Sequence, residues 1–122
     1  MLRFAAPSSK PPLPLLVTGI TGVAGFHALR YFQARYPGRA IGIRQEDDPR
    51  LSGPGIVACN AEDPEGLARL FDRHGIASVL DCAGNCALKP CELNPQLAYR
   101  LNVEGARNLI AQSVRLGARM VH

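Results

Sequence analysis

Long apolar runs are missing from this sequence of 122 residues. No stretch approaches the ~20 residues that a helix needs to cross a bilayer, so no membrane span is expected. Residues 1–14 carry four prolines, Arg3 and Lys10 but no acidic residue and no apolar core of signal-peptide length, and are expected to be a flexible leader. Basic runs with interleaved aromatics are missing too. Fourteen Lys and Arg against ten Asp and Glu give a net charge of +4 and a pI near 9.2. The cations are scattered and aromatics make up only 6%, which argues against nucleic acid and leaves a nucleotide phosphate as the matching anion. Paired Cys-x2-Cys clips are also absent. Cys59, Cys82, Cys86 and Cys91 fit none of the zinc spacings, so no metal is expected. Cys59 and Cys82 end apolar segments and are expected to be buried reduced thiols, which implies a cytoplasmic setting. There is no internal repeat and no sign of a second domain.

What is present is concentrated at Leu15-Leu16-Val17-Thr18-Gly19-Ile20-Thr21-Gly22-Val23-Ala24-Gly25-Phe26. An apolar run enters three glycines and leaves into a helical pattern, which predicts a strand, a tight turn and a helix N-terminus. Glycine permits turn geometry closed to other residues and lets a pyrophosphate approach the main chain. The unpaired N–H groups and the dipole of the following helix complete an anion site. The candidate cofactor contacts here are Thr18, Gly19, Ile20, Thr21, Gly22, Val23 and Gly25. For Thr18 the alternative is a hydroxyl that satisfies nearby backbone.

Behind this loop the pattern alternates. A helix over 23–36 is expected to turn Val23, Phe26 and Leu29 toward the sheet, ended by Pro37-Gly38. Strands are expected over 40–44, 56–59 and 76–82. Asp63-Pro64 and Asn94-Pro95 each read as N-cap and first helical residue. The first opens a helix with Leu67, Leu70 and Phe71 inward, stopped by Gly75. The second opens a helix with Leu97, Leu101, Ala106, Leu109, Ile110 and Val114 along one face, stopped by Gly117. A fifth strand starts at Ala118, and the chain is expected to end inside it. Alternating strands and helices predict right-handed crossovers and an α/β fold, a Rossmann-like doubly wound parallel sheet in the order 3-2-1-4-5 over residues 15–122. The ligand crevice then lies at the carboxyl ends of strands 1 and 4.

The end of strand 2 decides between NAD and NADP. An acidic side chain there accepts from ribose hydroxyls, whereas a guanidinium pairs with a 2′-phosphate. Arg44 holds that position and no acidic residue follows until Glu46, which favours NADP(H) over NAD(H).

Thr18-Gly19-x-x-Gly22-x-x-Gly25, with Asn60-Ala61-Glu62-Asp63-Pro64-Glu65, Asp81-Cys82-Ala83-Gly84 and the run from Asn94 to Gly105, resembles the extended short-chain dehydrogenases/reductases. Within that family the Pro-x-x-Ala-Tyr-Arg-x-Asn-Val-x-Gly run is most similar to the dTDP-4-dehydrorhamnose reductase branch. The resemblance implies a nicotinamide dinucleotide cofactor and, in a complete enzyme, a nucleotide-sugar substrate. It implies that Asn60 and Ala61 meet the adenine, with asparagine where the family usually has an acidic residue. It further implies that Cys82, Ala83 and Gly84 line the cofactor's second half, that Asp81 is structural, and that Asn102 supports a proton relay or simply bonds nearby main chain. Tyr99 is expected to pack.

Catalysis in that family uses a Tyr-x-x-x-Lys pair. Tyr31 is followed by Arg35, Tyr36 by Ala40 and Tyr99 by Val103, so no such pair occurs here. The expectation is the amino-terminal cofactor half of a reductase of a nucleotide-linked 4-keto sugar, possible as a homo-oligomer. The alternatives are a non-catalytic NAD(P)-binding regulatory module and an NAD-dependent epimerase or dehydratase of nucleotide sugars.

Overall fold

In the computed structural model, which describes residues 10–83 and 94–122, five strands form one parallel sheet in the order β3-β2-β1-β4-β5. The strands are β1 (Leu15–Thr18), β2 (Ala40–Arg44), β3 (Ile56–Ala58), β4 (Ser78–Asp81) and β5 (Arg119–Val121). The expected order is the observed one. Four consecutive buried residues in β1 fit a central strand covered on both faces. Alternation divides them between two cores: Leu16 joins Ile41, Ile43, Phe71, Val79 and Leu109, while Leu15 and Val17 join Ile20, Leu29 and Ala40.

Helix α1 (Val23–Arg35) covers the second of these faces. It comes close because β2 presents Gly42 beneath it, where a Cβ would lie 2.7 Å from the Leu29 side chain. The buried residues of α1 are Gly25 and Leu29. Val23, expected to face the sheet, is 79% exposed. The helix phase is set by Gly25 against the glycine loop, and at 100° per residue a position two earlier points the other way.

On the opposite face lies α2 (Pro64–His74), with Asp63 as N-cap, Pro64 at the first position and Gly75 as C-cap. Leu67, Leu70 and Phe71 are buried, as their spacing predicts. A second helical stretch begins as α3 (Pro95–Tyr99), passes through a π-helical turn at Arg100–Glu104 and continues as α4 (Gly105–Leu116). The π turn changes the phase of the helix. Gly105, Leu109 and Ser113 face inward, whereas Ile110 and Val114, expected on the buried face, are 52% and 77% exposed. Tyr99, expected to pack, is 46% exposed.

Residues 10–14 run beside the start of β4. The Pro14 carbonyl accepts from the Ala77 N–H at 2.9 Å, and the Ser78 hydroxyl donates to the Pro12 carbonyl at 2.5 Å. Among the described residues no helix is long and apolar enough to cross a membrane, and no group of three His, Cys, Asp or Glu could hold a metal ion.

Candidate dinucleotide-binding site

The glycine loop is fixed by two close approaches. Gly19 has φ +67°, and a Cβ there would lie 2.3 Å from the Cys82 carbonyl oxygen, so the turn after β1 is pressed against the end of β4. A Cβ on Gly25 would lie 2.1 Å from the Gly19 carbonyl oxygen, so α1 rests directly on the same turn. Gly22 is different. It is the N-cap of α1, in extended backbone (φ −89°, ψ 165°), and the nearest atom to a Cβ there is the Gly19 oxygen at 3.4 Å. Its N–H donates to Gly19 and its carbonyl accepts from Phe26. The N–H groups of Val23, Ala24 and Gly25 form the first helical turn and have no intrahelical acceptor. No acidic side chain stands in that turn, so its positive end is left for an anionic ligand.

Beside this turn is a cleft of about 170 Å³ lined by Thr18, Gly19, Ile20, Thr21, Ile43, Arg44, Gln45, Cys59, Ala61 and Ala83. It is smaller than the roughly 300–1,000 Å³ of a pocket enclosing a whole drug-sized ligand. Seven of the residues expected from the sequence meet here: Thr18, Gly19, Ile20, Thr21, Arg44, Ala61 and Ala83. Gly22 and Val23 stand at the helix N-terminus beyond it, and Gly25 is buried beneath the turn. Cys82 is half-buried at the end of β4. Gly84 lies outside the described residues, as do Cys86 and Cys91. Asn102 is exposed on the π turn and is not among the residues lining the cleft.

Several roles become specific. The Thr18 hydroxyl, 1% exposed, donates to Asp81 Oδ1 at 2.5 Å and accepts the Ala83 N–H at 3.3 Å. It therefore ties β1 to β4 and forms cleft wall. Asn60 Oδ1 accepts the Glu46 N–H at 2.8 Å, which joins the loop after β3 to the one after β2. Arg44 Nη1 donates to the carbonyls of Gln45 and Asp48 at 3.0 and 3.1 Å, which holds the guanidinium at the cleft edge. Asp48, paired with Arg50 at 2.6 Å, has its carboxyl pulled down to about 2 by that partner.

Sequence reasoning missed Ile43, Gln45 and Cys59 as cleft residues, and Asn108. The Asn108 amide donates to the Ala61 carbonyl at 2.9 Å and so fixes the cleft floor from α4. Burial, with Asp63, Glu46 and Glu62 nearby, pushes the Cys59 thiol up to about 11. Burial and Asp81 push the Cys82 thiol up as well. Both cysteines are free thiols. Strand register adds one more contact: Asp81, buried at the end of β4, receives His122 Nδ1 on Oδ2 at 2.7 Å.

A parallel sheet in this order, with a glycine turn and a helix N-terminus at the point where strand order reverses, defines a dinucleotide-binding α/β protein. Residues 15–122 match the family described as the NAD dependent epimerase/dehydratase family, and the chain belongs to it. That membership implies a nicotinamide dinucleotide as cofactor. Among curated proteins no sequence matches the chain significantly.

Solved structures agree on the fold. A monomeric L-threonine 3-dehydrogenase from a metagenome is 22% identical with a TM-score of 0.76, over 87% of this chain and 34% of that one. UDP-glucose 4-epimerase from Thermotoga maritima is 22% identical with a TM-score of 0.75, over 85% and 35%. A hypothetical dTDP-4-dehydrorhamnose reductase from Sulfolobus tokodaii is 19% identical with a TM-score of 0.76, over 88% and 37%. The chain thus spans about a third of the length of these proteins.

Proposed function

We propose that this chain binds NADP(H) and serves as the cofactor-binding part of an oxidoreductase that reduces a nucleotide-linked 4-keto sugar. The observation that carries the cofactor reading is the glycine turn pressed between β4 and α1, with an open Gly22 at the helix N-terminus. A carbon atom at Gly19 or Gly25 would collide with backbone, whereas one at Gly22 would meet little. This is the arrangement expected where Gly19 and Gly25 shape the cradle and Gly22 leaves room for a phosphate.

Arg44 supports NADP(H) over NAD(H). It stands at the end of β2 on the cleft edge, and none of the described residues that line the cleft is a carboxylate. The guanidinium is positioned by its two carbonyl bonds and can pair with a 2′-phosphate. Cys82, Ala83 and Gly84 are assigned to the second half of the cofactor, and Asn60 with Ala61 to the adenine end.

A bound nicotinamide dinucleotide supplies the hydride chemistry. The residues of this chain bind and orient it, and the proton for a reduced ketone would come from a Tyr-x-x-x-Lys pair that the sequence does not contain. The sugar-nucleotide assignment rests on the Pro95 to Gly105 run and on the likeness to the reductase and the epimerase above. An epimerase or dehydratase of nucleotide sugars would use the same cofactor cradle, a reading that the family description favours.

Thermal unfolding with NADPH and NADH tests the proposal. A ligand at a hundred times its Kd stabilises the folded state by about 2.7 kcal/mol, a rise in Tm on the order of 10 °C for a domain of this size. The expected order is NADPH above NADH. No shift with either would overturn the cofactor reading, and a larger shift with NADH would overturn the assignment to Arg44.

A further inference from the structure

Three polar residues stand in one row across the carboxyl ends of three adjacent strands. Thr18 of β1 is in register with Asp81 of β4, and the β4–β5 register, Leu80 with Val121, brings His122 to the far side of the same carboxylate. Asp81 accepts the Thr18 hydroxyl and the Ala83 N–H on Oδ1, and meets His122 Nδ1 on Oδ2. The Asp81 side chain is 2% exposed and that of His122 is 66% exposed.

A carboxylate only accepts, so the proton of this contact sits on Nδ1 and the tautomer of the imidazole is fixed. Nε2 is then the outward end of a ring oriented by a buried group. Neither the cofactor cradle nor the fold requires a histidine there, since β5 is already paired to β4.

The position of the ring suggests its ligand. The cleft described above covers the ends of β1, β2 and β3, with Ala83 after β4 in its lining. A dinucleotide that crosses the crevice at the β1/β4 switch point must carry its second half over β4 and β5, where His122 stands.

We propose that His122 is a ligand-positioning residue whose Nε2 hydrogen-bonds a hydroxyl of the second ribose of the dinucleotide, with Asp81 as the group that orients it. A hydroxyl suits Nε2 in either protonation state, because it both donates and accepts. The inference rests on the dinucleotide reading, and its test separates the two.

Binding is measured for the nicotinamide dinucleotide that the chain prefers, for the same molecule without nicotinamide (ADP-ribose or its 2′-phosphate) and for its adenosine-side fragment (ADP or adenosine 2′,5′-bisphosphate). The His122→Asn amide keeps a donor to Asp81 but has nothing at the Nε2 position. His122→Gln reaches that position. H122N is expected to weaken the dinucleotide and its nicotinamide-free form about five-fold, the loss of one hydrogen bond, with the adenosine fragment unchanged and H122Q within two-fold of the parent chain.

If H122N binds the nicotinamide-free form as the parent does, the proposal is overturned while the dinucleotide reading stands. If all three ligands weaken together in both variants, His122 only supports the fold and the proposal falls. If only the intact dinucleotide is affected, the partner is the nicotinamide rather than the ribose, which overturns the assignment. If the parent chain binds none of the three, the dinucleotide reading itself fails.

Discussion

Gly22→Asp separates binding from folding at the glycine loop. The backbone at Gly22 is extended, with φ −89°, so an L-residue fits without strain, and a Cβ meets nothing closer than the Gly19 oxygen at 3.4 Å. Gly22 is the N-cap of α1, a position where Asp is at least as favourable as Gly, by a few tenths of a kcal/mol. The variant is therefore expected to melt at or slightly above the temperature of the parent chain. Binding should respond in the opposite direction. A carboxylate placed about 4 Å from a pyrophosphate charge costs about 4 kcal/mol at an effective dielectric constant near 20, or roughly a thousand-fold in Kd. The assay is a ligand-free melt paired with an NADPH titration. A variant that folds and keeps its Kd within about three-fold would refute the placement of the pyrophosphate at Gly22. A variant that unfolds would refute the account of that position as sterically open.

The other two glycines should behave in reverse. Gly25→Ala places a Cβ 2.1 Å from the Gly19 oxygen, a backbone atom, an overlap expected to cost about 3 kcal/mol, the top of the range for overpacking, against about 1 kcal/mol gained in helix propensity. A lower Tm without ligand is the expected result, and an unchanged one would mean that α1 does not rest on the loop. Arg44→Ala should weaken NADPH about ten-fold, as loss of a charge-assisted bond implies, and leave NADH within two-fold; equal losses would remove Arg44 as the specificity residue. With its thiol pushed up to about 11, Cys59 keeps its proton in the folded chain. The stability linked to that proton is present below the unfolded thiol value and is lost as pH rises toward 11. Peptide-mapped alkylation near neutral pH should therefore modify Cys59 only on unfolding, and modification at the rate of a free thiol would contradict its burial.

The apolar run of β1, the glycine spacing and the two cap-proline signals made the sheet order and the helix starts legible, because each is a local property. β2 spans Ala40–Arg44 as the sequence suggested, which is what brings Arg44 to the cleft. What was not legible depends on contacts between distant segments. Val23 faces solvent because the rotation of α1 is set by Gly25 against Gly19. Ile110 and Val114 face solvent because a π turn lies ahead of them, and a periodic count assumes an uninterrupted helix. Gln45 and Cys59 line the cleft only because the ends of β2 and β3 meet. The join of Asp81 to Thr18 and His122 spans 63 and 41 residues, which no spacing rule connects.

The central claim is that a nicotinamide dinucleotide lies on the glycine loop and the N-terminus of α1. Amide chemical-shift mapping of the isotope-labelled chain during an NADPH titration tests it most directly. The account predicts saturable shifts at Gly19, Thr21, Gly22, Val23 and Ala24, with Arg44 and Ala83 following at the two sides of the cleft. Saturable shifts that leave these amides unmoved, or no saturation at all, would contradict it.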